Sequence, residues 1–182
     1  VVFGTDPDCD RLGVAIRNEE GEFVALSGNQ TGVLLLDYVL RRLHETNKLT
    51  DKGFIVKSFV STSLAKLVAD DYGVELMETP VGFKFIGEKI KQFDDTGKRQ
   101  YIFGFEESCG YLKGTYVRDK DGVVASMLTA QMASYLKKQG KTLVDRLNEL
   151  YQEHGIFFQD IVSYRFEGVT GAEKNNIIVG GD

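Results

Sequence analysis

The chain has 182 residues, a formal net charge of −5, 42% hydrophobic residues and 27% charged residues. These are the proportions of a soluble globular fold long enough to bury a core without staples. The acidic balance leaves no basic footprint for nucleic acid, and apolar runs of about five residues fall far short of the roughly 20 that span a membrane. Cys9 and Cys109 belong to no CxxC pair and read as free thiols of a reducing, cytoplasmic compartment.

Residues 1–4 read as the end of a buried strand and 13–17 as another, with 18–21 turning back into a hairpin strand at 22–26. A chain that starts inside a strand, on Val1, is expected to be cut from something longer. Asn29 is the expected N-cap of a helix running to about residue 45 through Val33, Leu34, Leu36, Val39, Leu40 and Leu43. A strand is predicted at 54–60. A helix at 64–72 follows, capped by Thr62 or Ser63 and ended by Gly73, and then a short strand at 74–78.

Phe83, Ile86, Ile90 and Phe93 are spaced by three and four residues, which predicts a helix over 83–93. Residues 101–105 read as a strand and 106–120 as loop. A long helix is predicted from Asp121 to about residue 139. Thr142 with Asp145 three residues on has the capping-box form and opens another helix to about residue 154. Residues 156–166 look strand-like, and 172–176 are a short helical candidate. The alternation of strands and helices predicts an α/β fold with a layered sheet, mixed and largely parallel, flanked by helices. The N-terminal β-hairpin is its one expected antiparallel feature.

In such sheets ligands gather at loops after the carboxyl ends of strands, and three loops qualify. The first holds Asp6, Asp8 and Asp10 at strict alternation, followed by Arg11. Side chains at i, i+2 and i+4 of an extended segment point to one side. Three converging carboxylates repel unless a hard divalent cation sits between them; the alternative is a solvated acidic turn. Counted from Asp6, an EF-hand would need Gly at position 6 and Glu at position 12, where Arg11 and Arg17 stand. Arg11 suits an anion shared between metal and guanidinium.

In the second loop Lys84 follows Gly82-Phe83 at a helix start. A phosphate there would gain from the helix N-terminus and the ammonium, whereas a solvated surface lysine is equally compatible. In the third, Glu106, Glu107 and Ser108 follow an apolar strand, as would suit the hydroxyls of a sugar ring or simply a capped turn. The segment Arg118 to Gly122 is mixed in charge and reads as helix-start chemistry. His44 and His154 lie near helix ends and outside all three loops.

These motifs resemble the α-D-phosphohexomutases, the phosphoglucomutase and phosphomannomutase enzymes. Residues 4–11 are similar to that family's magnesium loop, Gly82-Phe83-Lys84 to its glucose-type phosphosugar loop, and residues 104–110 to its sugar-binding loop, in the same order. The resemblance implies a phosphohexomutase third-domain fold. It implies domain limits of 1–17 for the metal loop and the end of a preceding domain, 18–166 for a sugar-binding α/β domain, and 167–182 for a tail or linker toward a missing domain.

It further implies Mg²⁺ on Asp6, Asp8 and Asp10, Arg11 and Lys84 in catalysis, and Glu106, Ser108, Lys84 and Arg118 on a hexose phosphate, with glucose favoured. Such enzymes pass a phosphoryl group through a phosphoserine in a Ser-x-Asn-Pro-like loop. The only prolines here are Pro7 and Pro80, so that loop is expected in the missing domains and this chain alone is expected to be inactive. A non-catalytic, metal-dependent sugar-phosphate binding module is the alternative.

Overall fold

A computed structural model of the chain describes residues 1–18 and 20–158. It contains two sheets. The first is antiparallel, in the order β1 (Val2–Thr5), β2 (Leu12–Arg17), β3 (Phe23–Ala25). The period of two is clean in β2: Leu12, Val14 and Ile16 are buried, while Gly13, Ala15 and Arg17 face outward.

The second sheet has the order β5-β4-β6-β7, built from β4 (Gly53–Ser58), β5 (Glu75–Thr79), β6 (Gln100–Glu106) and β7 (Gly110–Leu112). Strands β5, β4 and β6 are parallel, and β7 folds back antiparallel onto β6. Every residue of β4 is buried, as expected for a central strand covered on both faces.

Alternate residues of this sheet feed two cores. Phe54, Val56, Tyr101 and Leu112 pack with Phe83, Ile86 and Ile90 of α3 (Phe83–Asp94). Ile55, Phe103, Phe105 and Tyr111 join the larger core on the other face. That core also takes in α1 (Gly28–Glu45), α2 (Leu64–Asp71), α4 (Gly122–Lys138), α5 (Leu143–His154) and β2. Gly104 lies on the α3 face, where an added Cβ would come within 2.6 Å of the Tyr101 hydroxyl. The same Cβ would press on Ile86 Cγ2 of α3 at 3.2 Å, so glycine eases the packing of the helix there.

Several expectations from sequence are corrected. The N-cap of α1 is Ser27, not Asn29. Ser27 Oγ accepts the Gln30 N–H while the Gln30 side chain accepts the Ser27 N–H, a reciprocal box that needs a side-chain acceptor three residues on, where Asn29 is followed by Gly32. Asn29 Oδ1 instead accepts the Thr62 N–H at 3.0 Å. At α2, Ser63 occupies the cap position with helical backbone angles and makes no side-chain cap bond. Thr62 Oγ1 accepts the Leu64 N–H at 3.3 Å.

The expected buried strand at 1–4 is exposed throughout β1. The expected loop at 106–120 contains β7, a second antiparallel pairing beside the hairpin. Residues 156–158 are not in a strand. The remainder of the strand expected at 156–166, the helical candidate at 172–176 and the tail at 167–182 lie outside the described residues. Among the described residues, no helix is long and apolar enough to cross a membrane.

Candidate functional site

The three loops converge at the carboxyl ends of β1, β5 and β6. The first loop is a tight turn closed by Cys9 N–H donating to Asp6 O at 3.0 Å, with Cys9 at φ 61°. Asp6 Oδ1 then accepts the backbone N–H groups of Asp10 (3.2 Å) and Arg11 (3.1 Å). Chiefly the Arg11 N–H holds the Asp6 carboxyl below its usual value, so it remains an anion. The turn brings one oxygen each from Asp6, Asp8 and Asp10 within 4.8 Å of one another. An Mg²⁺ octahedron places adjacent oxygens about 3 Å apart, so this all-oxygen donor set suits a hard divalent cation once the side chains draw together. Arg11 is exposed, with Nε 3.8 Å from Asp10.

The first loop is docked onto the third. Leu12 N–H donates to Cys109 O at 3.1 Å, and Arg11 bridges to Gly110 in antiparallel fashion. Gly122 N–H, at the start of α4, donates to Cys9 O at 3.0 Å.

The second loop meets the third through Gly82, whose N–H donates to Glu106 Oε1 at 2.7 Å. Gly82 sits at φ 120°, a conformation that side chains oppose, so glycine is required for that N–H to face Glu106. Glu106 is 4% exposed. Burial pushes its carboxyl up and the neighbouring Glu107 adds to the effect, with the Gly82 N–H partly offsetting both. Ser108 is exposed beside it. Lys84 is exposed in the first turn of α3, its Nζ 4.8 Å from the centre of the Phe85 ring.

Lys120, which the charge pattern of its segment did not single out, ties the loops together. Its Nζ lies 2.9 Å from Asp10 Oδ2 and 5.8 Å from the centre of the Phe83 ring. Its stem also lies where a Cβ on Gly110 would be. Arg118, by contrast, turns away. Its guanidinium pairs with Asp94 at 2.5 Å and with the Thr115 carbonyl. Asp94 is the last residue of α3, the helix that carries Lys84 in its first turn. The structure therefore groups Asp6, Asp8 and Asp10 in one turn, joins that turn through Lys120 and the Leu12–Cys109 bond to the loop that carries Glu106 and Ser108, and leaves the Arg118 guanidinium at the far end of α3.

A cluster of three carboxylates and a glycine-turned loop are general devices; a match of the domain to a family is specific. Residues 27–154 match the family model described as phosphoglucomutase/phosphomannomutase, alpha/beta/alpha domain III. The chain belongs to this family. The matched span contains Lys84, Glu106, Ser108, Arg118 and Lys120, and begins after the Asp6–Asp10 loop.

A phosphoglucomutase of Staphylococcus aureus (strain USA300) is 42% identical over 179 residues, which are 98% of this chain and 31% of that protein. A Thermus thermophilus protein assigned as a phosphomannomutase superposes with TM-score 0.64 at 28% identity, over 85% of this chain and 31% of that one. The N-acetylphosphoglucosamine mutase of Aspergillus fumigatus, in complex with GlcNAc-6P and magnesium, shares the fold at TM-score 0.57 and 14% identity, over 81% of this chain and 34% of that one. This chain thus spans about a third of the length of the family members it matches.

Proposed function

We propose that this chain carries the metal-binding and sugar-binding part of a phosphohexomutase. The whole protein interconverts hexose 1-phosphate and hexose 6-phosphate, with glucose the favoured sugar, through a phosphoserine outside this chain. The observation that carries the reading is the bonded convergence of the three loops: Gly82 N–H on Glu106, and Leu12 N–H on the Cys109 carbonyl. The domain limits follow the same reading, with 1–17 closing a preceding domain, 18–166 forming the sugar-binding domain and 167–182 leading toward the next. A cytoplasmic location belongs to it too.

Each residue then has work that its environment suits. Asp6, Asp8 and Asp10 hold Mg²⁺. When bound, Mg²⁺ offsets charge building on a transferring phosphoryl group. Arg11, exposed beside the carboxylates, presents a planar fork of donors to phosphate oxygens. Lys84 and the first turn of α3 offer an ammonium and helix N–H groups to the phosphate carried on the sugar. Glu106 accepts sugar hydroxyls through the carboxylate oxygen that Gly82 leaves open, and Ser108 adds a hydroxyl that both donates and accepts. Lys120, paired with Asp10 and packed on Gly110, supplies a positive charge between Asp10 and the sugar loop. Arg118 reaches substrate only after leaving Asp94, a surface pair whose rupture costs little.

The test is a coupled mutase assay with glucose 1-phosphate on the full-length protein and on residues 1–182. The full-length protein is expected to turn over with Mg²⁺, its Asp8→Asn variant to lose most activity, and residues 1–182 to be inactive. Turnover by residues 1–182 would overturn the placement of the nucleophile. A full-length protein that binds hexose phosphate without turnover would replace the mutase by a binding module.

A further inference from the structure

The two adjacent glutamates of the sugar loop are turned to opposite duties. While Glu106 reaches Gly82, Glu107 turns into the end of β4, where its Oε2 accepts from Ser58 Oγ at 2.7 Å and from Ser61 Oγ at 3.3 Å. The two serine oxygens are themselves 2.7 Å apart, and both residues are at most 1% exposed. The turn that carries them is closed by Ser61 N–H donating to Ser58 O. Lys57, fully buried, pins it from below: its Nζ donates to Ser61 O at 3.0 Å and Ser58 O at 3.3 Å, and pairs with Glu78 at 2.8 Å. Behind the loop, α1 begins so close that a Cβ on Gly28 would lie 2.0 Å from the Glu107 carbonyl oxygen.

We propose that Glu107, held by Ser58 and Ser61, is a positioning residue that sets the orientation of Glu106 and Ser108 and thereby the affinity for the sugar. This rests on the phosphosugar reading of the loop. A carboxylate locked between two buried hydroxyls leaves the intervening backbone few ways to turn, so its neighbours are presented in one geometry before ligand arrives. At metal sites, removing the outer partners that orient the ligands changes affinity or activity by about 10- to 100-fold, and a loop anchor of the same kind is expected to act on that scale. Glu107 itself touches no substrate in this account.

The experiment uses the full-length protein. Glucose 6-phosphate affinity is measured by calorimetry, the half-saturating Mg²⁺ concentration by thermal shift, and amide hydrogen exchange over residues 106–110 by mass spectrometry. Glu107→Ala is expected to weaken sugar-phosphate binding about 10- to 100-fold and to speed exchange at 106–110, with half-saturating Mg²⁺ moving less than about threefold. Glu107→Gln keeps an acceptor for the serine hydroxyls and is expected to restore affinity to within about threefold.

Wild-type affinity and exchange in Glu107→Ala would overturn the proposal, as would a Glu107→Gln protein as weak as Glu107→Ala. If Glu107→Ala loses its cooperative unfolding transition, Ser58→Ala carries the same expectation, and wild-type affinity there overturns it. Absence of sugar-phosphate binding by the wild-type protein would sink the mutase reading instead. The exchange comparison then decides the anchoring: faster exchange in the variants supports it and unchanged exchange overturns it.

Discussion

Helix α5 is fastened to α1 by a buried ion pair, and replacing Arg146 with Met should loosen the domain as a whole. Arg146 Nε lies 2.9 Å from Asp37 Oδ2 and its Nη2 3.0 Å from Asp37 Oδ1, a two-pronged contact between side chains 6% and 5% exposed. Burial works against the guanidinium charge, yet the bonds to Asp37 and Glu153 more than offset it. Removing one partner of a buried pair costs about 3–5 kcal/mol, because the other charge stays buried without compensation. Asp37 keeps Arg41 at 3.2 Å, which places Arg146→Met near the lower figure, about 3 kcal/mol. For a domain of this size that is a fall in Tm of about 6–12 °C.

Asp37→Leu should cost less, about 2 kcal/mol, since Arg146 keeps Glu149 and Glu153 at the rim. The double variant Asp37→Leu/Arg146→Met removes both charges, leaves Arg41 within reach of water, and should lie within about 1 kcal/mol of the parent. Urea unfolding of the chain followed by far-UV circular dichroism reads all three. Singles that cost under about 1 kcal/mol, or a double variant equal to their sum, would refute the buried-charge reasoning.

Gly28→Ala should force α1 away from the loop that carries Glu107, because its Cβ would meet the Glu107 carbonyl at 2.0 Å. A loss of about 1–3 kcal/mol in urea unfolding is expected, and an unchanged midpoint would show that the two backbones are not held this close. Glu106→Gln keeps the acceptor for Gly82 and removes a carboxylate whose folded pKa is raised by burial. A raised carboxyl pKa means the folded state holds its proton more tightly, so Glu106 lowers stability as pH climbs from 4.5 through the higher folded value. The Gln variant should therefore have a higher Tm at pH 7 and a flatter pH profile, while sugar-phosphate binding falls; a lower Tm at pH 7 would contradict the sign.

Thr142→Ala removes the capping box of α5, in which Asp145 Oδ2 accepts the Thr142 N–H at 2.7 Å and Thr142 Oγ1 accepts the Asp145 N–H, at a cost of about 1 kcal/mol at pH 7. The Thr142 N–H holds the Asp145 carboxyl below 3.8. The contribution is full above that value and is lost as pH falls through the lower folded one. A Thr142→Ala protein as stable as the parent at pH 7 would remove the cap from the account of α5.

Much of the architecture is local and was legible in residue order. The spacing of Phe83, Ile86 and Ile90 and the Thr142–Asp145 box mark α3 and α5 because helix periodicity and end-capping depend on residues three or four apart. Strand β7 was hidden because Gly110–Leu112 is short and buried on both sides, so it shows no alternation. Residue order leaves the cap of α1 open between Ser27 and Asn29, because two cap-forming residues stand close together. Only the partner of each decides: Gln30 for Ser27, and the Thr62 N–H for Asn29.

The site divides along the same line. The residue types in the three loops, their order and the family they resemble follow from the sequence alone, since carboxylates at alternating positions and a glycine-turned helix start are properties of adjacent residues. What binds those loops into one place does not. Lys120 on Asp10, Gly82 on Glu106, Glu107 between Ser58 and Ser61, and Arg118 drawn off to Asp94 each join residues two dozen or more positions apart. Such pairings depend on how α1, α3 and the parallel strands pack at the approaches that Gly28 and Gly104 permit. Packing is a sum over the whole core, and no single stretch of sequence contains it.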